Sequence, residues 1–142
     1  MLKEGDIVEI PLRDGRTAYG WILHVSRYFS GTMGFVVLKV CRDSKPGDLK
    51  TLCMNLKEVP PPGLLYTGTK AAKYYKWQAI SSCAVKDDDM LLTKRLVGGD
   101  VYVGDIRVGA ASALELATLK PMMVSGMIAF YTKIESIYPV SK

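Results

Sequence analysis

The chain is poor in the residues that usually announce chemistry. It holds a single histidine, His24, and three cysteines, Cys41, Cys53 and Cys83, at wide spacing. There is no Cys-x-x-Cys and no close pairing of Cys with His, which excludes the usual frameworks for structural zinc. An odd number of cysteines fits a reducing compartment and buried, inert thiols, with no disulfide inside the chain. No apolar run reaches the roughly 18 residues that a membrane span needs. The opening Met1-Leu2-Lys3-Glu4-Gly5-Asp6 lacks the apolar stretch of a secretory signal, so the expected location is the cytoplasm. Gly-x-Ser-x-Gly and phosphate-loop motifs are missing as well. A Ser–His–Asp relay would have to use His24, which the pattern places inside a strand. The glycines at Val97-Gly98-Gly99-Asp100 and Gly104 are explained by hairpin turns. The run Asp87-Asp88-Asp89 lacks the alternating ligands and closing Glu of a calcium loop and reads as a solvated turn. No metal, no cofactor and no catalytic residue is expected, and the chain is read as a non-enzyme.

What is present is a core. Of the 142 residues, 49% are hydrophobic and 23% charged, and the net charge is +5. That length suits one domain over residues 1–142, and that composition suits a folded one. Asp6 to Leu12 alternates, with Val8, Ile10 and Leu12 on one side and Ile7, Glu9 and Pro11 on the other, so it reads as a half-buried strand. Asp14-Gly15 is a hairpin turn. Thr17 to Arg27 reads as a long second strand with a bulge or bend at Gly20. Gly31 to Gly34 turns the chain into a third strand, Phe35 to Val40. Residues 5–40 therefore form a bent antiparallel meander, SH3-like and partly closed.

Residues 42–50 read as a polar loop, and Pro60-Pro61-Pro62-Gly63 as a stiff joint. Beyond it lies an α+β half, 64–142. Thr69 to Tyr75 suits one or two helical turns, and Trp77 to Val85 a strand. Val101-Tyr102-Val103, Gly104-Asp105 and Ile106-Arg107-Val108 read as a hairpin. Ser112 to Glu115 is a capping box opening a helix from Ala113 to Lys120, which Pro121 ends. From Met127, Ile128, Tyr131, Ile134 and Tyr138 recur at helical spacing, although Tyr131, Lys133 and Glu135 also alternate as on a strand. The fold class is α+β, mainly β, with one or two short C-terminal helices packed on the meander.

One stretch is electrostatically distinct. From Val59 to Lys86 there is no acid, while Lys70, Lys73, Lys76 and Lys86 are interleaved with Tyr66, Tyr74, Tyr75 and Trp77. Such a mixture suits a protein interface, where Tyr and Trp offer rigid amphipathic contacts. It also suits single-stranded nucleic acid, through phosphate charge and stacking. Tyr66, Lys70, Lys73 and Tyr74 are the candidate contact residues, with Trp77 anchoring the segment to the core.

The run from Gly5-Asp6-Ile7-Val8-Glu9-Ile10-Pro11-Leu12 through Asp14-Gly15 to Gly20 resembles the opening of the immunity protein 26 family of bacterial polymorphic toxin systems. Lys76-Trp77-Gln78-Ala79-Ile80 resembles that family's Trp-containing strand. Val103-Gly104-Asp105 through Ala111-Ser112-Ala113-Leu114-Glu115-Leu116 resembles its late hairpin and helix start. Where the family leads one to expect a Gly after the Trp strand, this chain has Ser81. The resemblance implies a binding protein that neutralises a cognate toxin domain by direct contact, with no chemistry of its own. It supplies no contact residues. The charge of +5 favours a toxin with an acidic contact face. The alternative is a small nucleic-acid-binding module using residues 66–77.

Overall fold

Three N-terminal strands build the centre of the molecule. A computed structural model describes residues 2–29, 31–42, 46–56, 64–122, 124–125 and 127–137. In it β1 (Asp6–Pro11), β2 (Thr17–Val25) and β3 (Thr32–Cys41) pair antiparallel in the expected meander. The ladder between β2 and β3 shifts register at Tyr19/Gly20, the expected bulge. A Cβ on Gly20 would meet the Phe35 ring at 3.2 Å, so the glycine also permits close packing.

Later segments extend this sheet at its rims. β4 (Leu64–Gly68) pairs antiparallel with β3, and β5 (Gln78–Ser82) with β1. The short β9 (Val124–Ser125) adds parallel to β4. The result is a six-stranded sheet in the order β5-β1-β2-β3-β4-β9. It is almost wholly antiparallel and forms no closed barrel among the described residues, in keeping with the α+β, mainly β expectation. The two outer strands pair only inward, and helices rather than strands cover the faces.

Those helices correct the half-buried reading of β1. Ile7 and Val8 point to opposite faces, yet both are fully buried. On one face Val8, Ile10, Ile22, Phe35 and Val37 pack beneath Ala72 of α2 (Thr69–Tyr74) and Tyr131 and Ile134 of α5 (Met127–Ile137). On the other, Ile7, Tyr19, Trp21, Leu23 and Leu38 pack against Leu49 and Cys53 of α1 (Leu49–Met54). The Trp21 indole N–H donates to the Cys83 carbonyl at 3.0 Å and fastens the chain beyond β5 to that second face. Helix α1 lies within the segment read as a polar loop and beyond it. Its signal is the Asp48 cap, whose carboxylate accepts from the Thr51 N–H at 3.2 Å.

A smaller three-stranded sheet follows, in the order β6 (Arg95–Val97), β7 (Asp100–Val103), β8 (Ile106–Ala110). The β7–β8 hairpin turns at Gly104-Asp105, as expected. Between β5 and β6 the three aspartates open a single helical turn, α3 (Asp87–Met90), followed by a 3-10 turn over Leu91–Thr93. Helix α4 (Ala113–Thr118) carries the expected capping box: the Ser112 hydroxyl accepts from the Glu115 N–H at 3.1 Å, and the Glu115 carboxylate accepts from the Ser112 N–H at 3.0 Å. The last segment resolves as the helix α5 rather than a strand. The proline joint at 60–63 and Tyr138 lie outside the described residues.

Candidate functional site

The described part of the acid-free stretch holds β4, α2 and β5. Its centre is the end of α2. The Trp77 N–H donates to the Ala72 carbonyl and the Lys76 N–H to the Lys73 carbonyl, both at 3.1 Å. This is a Schellman turn, and the position after its cap ordinarily holds glycine because the backbone there is left-handed. Here the residue is Lys76, with φ 64°, the one non-glycine at positive φ among the described residues. The turn drives Trp77 into the core beside Ala72. Its ring meets Phe35 edge-on at 5.3 Å, and its N–H donates to the Tyr131 hydroxyl at 3.3 Å. Trp77 is thus the anchor.

With Trp77 fixed, the outer side of the segment is presented to solvent. Lys70, Lys73 and Lys76 are exposed, and Tyr74 is 80% exposed. Tyr75 stands edge-on between Tyr74, at 5.2 Å, and Tyr131, at 5.6 Å. Lys70, Lys73 and Tyr74 lie at helical spacing on α2 and its end, and Lys76, named in the basic stretch but not among the candidate contacts, follows in the turn. The signal for Lys76 was its place directly before a core tryptophan, where a helix must stop.

Tyr66 is different and is a correction. It lies on β4, directly across from Gly34, and is buried. Its ring fills the space where a Gly34 side chain would sit: a Cβ there would come within 2.9 Å. The Arg95 guanidinium covers the ring at 5.1 Å. Burial pushes the Tyr66 hydroxyl up to about 12, against the opposing pull of Arg95. Tyr66 is a core residue with no surface to offer a partner.

A second polar assembly joins the two sheets. The Asp105 carboxylate receives the Ser26 hydroxyl at 2.5 Å, the Arg27 N–H at 2.7 Å and the Tyr28 N–H at 3.3 Å, with His24 Nε2 at 3.1 Å. Burial works against the charged carboxylate, but the Ser26 and Arg27 donors and the nearby His24 outweigh it and hold Asp105 below the ordinary carboxylate range. The three residue types are those of a nucleophilic triad, but the wiring is not. Ser26 and His24 both bond to the aspartate, so the hydroxyl is directed at the carboxylate and not at the imidazole, as a triad would require. Ser26 and His24 are also buried. The assembly ties the β7–β8 turn to the β2–β3 turn.

A groove of about 690 Å³ runs between α1 and α3, past Trp21, Cys53, Cys83, Lys86, Asp89 and Leu92. All three cysteines are free thiols. Burial, and the Cys83 thiol beside it, push the Cys53 thiol up to about 12, so it stays protonated at neutral pH and is a poor nucleophile. The Asp89 carboxylate is occupied by the Lys86 backbone N–H at 3.0 Å. Among the described residues no three His, Cys, Asp or Glu side chains gather as metal ligands would. No helix is long and apolar enough to cross a membrane among those residues.

An open sheet sealed on both faces, an exposed basic helix and buried polar assemblies form a scaffold that offers surfaces. The family model for Immunity protein 26 matches residues 3–96, and the chain belongs to that family. The match takes in the meander, α1, α2 and the Trp77–β5 run, including the opening that carries the resemblance. It ends inside β6, so the late hairpin and α4, read as similar to the family, lie outside it. No curated protein and no solved structure matches the chain.

Proposed function

We propose that this protein is a cytoplasmic immunity protein that binds a cognate toxin domain and neutralises it without chemistry of its own. The observation that carries the reading is membership of the Immunity protein 26 family. The contact surface we assign is the outer side of α2 and its turn: Lys70, Lys73, Tyr74 and Lys76. These side chains sit on an element locked by Trp77, so little ordering is needed on binding. Their charge, within a chain of net charge +5, selects a partner with an acidic face. The Asp105 assembly, which ties the β7–β8 turn to the β2–β3 turn, supports reading the chain as one domain.

The test begins with the neighbouring gene, which on this reading encodes the toxin domain. Co-expression should rescue growth, and the purified proteins should form a complex. Replacing Lys70 and Lys73 with Glu should slow association at least several-fold while leaving the melting temperature within a degree or two, because both side chains are solvent-exposed. An unchanged association rate would remove α2 from the interface. Binding to generic oligonucleotides with a steep salt slope would instead favour the nucleic-acid reading.

A further inference from the structure

The surface beside α2 is a strand edge. Strand β5 pairs with β1 and with no other strand among the described residues, so its outer row of N–H and C=O groups lacks a protein partner. All five of its residues are exposed. Such an edge is normally blunted by a charge or a proline, because it is a template for another strand. Gln78-Ala79-Ile80-Ser81-Ser82 contains neither. The ladder to β1 shifts register between Ile7 and Val8, which leaves Ile80 without an opposite residue and 42% exposed.

The other strand ends of the molecule differ. At the far side of the large sheet, β9 has two residues. The outer strand of the small sheet, β8, carries Arg107 and a register shift opposite Val101/Tyr102. The other edge of the small sheet, β6, has three residues, and its Leu96 is engaged by the chain at Lys120–Met122. Among the described strands, only β5 combines length, neutrality and exposure with neighbouring lysines. Lys73 and Lys76 stand just before it, and Asp87, Asp88 and Asp89 follow a few residues after it. The charge at the start of the edge is therefore positive.

We infer that the free edge of β5 receives an extended segment of the toxin as an added strand, with acidic residues at the end that meets Lys73 and Lys76. The inference rests on the toxin-binding reading above and deepens it. Main-chain hydrogen bonds would supply affinity whatever the partner's sequence, and the lysines would set the direction and the charge of the arriving segment.

The experiment is residue-resolved amide exchange on the full chain, alone and with the toxin domain encoded beside its gene. In the free chain the amides of Gln78–Ser82 should alternate between slow, where they face β1, and fast, where they face outward. In the complex the fast set should slow by about 100-fold or more, as strand pairing requires. A complex that forms while those amides keep their free rates overturns the inference and leaves the toxin-binding reading intact. So does protection that appears on Ile106–Ala110 instead. Failure to form any complex overturns both. In parallel, Ala79→Glu with Ser81→Glu should weaken binding at least tenfold without lowering the melting temperature, since both positions are exposed. Unchanged affinity in that folded variant also overturns the inference.

Discussion

The two sheets are held by different physics. The six-stranded sheet is an apolar slab between helices, with Ile7, Val8, Ile10, Ile22, Leu23 and Phe35 all at 0% exposure. The three-stranded sheet has little apolar cover of its own, and its outer strand exposes Ile106 at 72% and Val108 at 62%. Its attachment to the large sheet is mixed: Tyr102 packs against the Tyr28 and Phe29 rings at 6.0 and 5.5 Å, and polar groups add directed contacts. Asp105 binds the β2–β3 turn, and the buried Arg95 donates to the Gly104 carbonyl at 2.7 Å and the Thr93 carbonyl at 3.1 Å while covering the Phe29 and Tyr66 rings. Apolar burial is non-directional and tolerates repacking. A polar attachment depends on each partner, because a buried donor or acceptor left alone is costly. The large sheet should therefore set global stability, and the small one should be able to loosen on its own.

The strongest way to break this comparison is at Phe35. Its replacement by Ala should cost about 3–5 kcal/mol and lower the denaturation midpoint for the whole chain, read by urea titration. Next is Arg95→Ala, which strips two carbonyls of their donor and uncovers two rings. A loss of about 2–4 kcal/mol is expected, with amides of residues 95–110 exchanging faster before those of β2 and β3. Simultaneous loosening of both sheets would erase the distinction. Asp105→Asn is a smaller change, about 2 kcal/mol, because charged acceptors hold donors more strongly than neutral ones. It also carries a pH signature. The folded-state value of Asp105 is lowered, so its contribution is complete above the ordinary carboxylate value of about 3.9 and is lost as pH falls through the lower folded value. The Asn variant should lack that acid-side decline, measured as melting temperature against pH. The smallest effect is expected at Lys76→Gly. Relief of the left-handed backbone should stabilise the fold by about 1 kcal/mol while slowing toxin association. A stabilised variant with undiminished association would make Lys76 a tolerated irregularity and not part of the contact surface.

The division between the sheets also explains what could be read in the sequence. The meander was legible because alternation, Asp14-Gly15 and Gly20 are local signals. The β7–β8 hairpin and the Ser112–Glu115 cap were legible for the same reason. Burial of Ile7 was not, since Glu9 and Pro11 share its side and the covering helix α1 hides in a polar stretch with only Leu49, Leu52 and Cys53 to mark it. Composition puts Tyr66 on the surface because the acid-free stretch around it holds only lysines as charges, from Lys70 on, whereas its neighbours in space are Gly34 and Arg95. The Asp105 assembly joins residues 79 positions apart from Ser26, and no periodicity reports such a pairing. Of the candidate surface, the lysines and Tyr74 are visible in composition, whereas the left-handed backbone that carries Lys76 is not.

Sealing both faces of the large sheet has a consequence for how such a protein can change. A substitution at Ile7 or Val8 is felt by a helix whichever way the side chain points. Room for variation is pushed outward, to the sides of α2 that face water and to the rim at β5. On the toxin-binding proposal, a change of partner would fall on a border a few residues wide. The interior then acts as a keel, heavy and unaltered, beneath a surface free to drift.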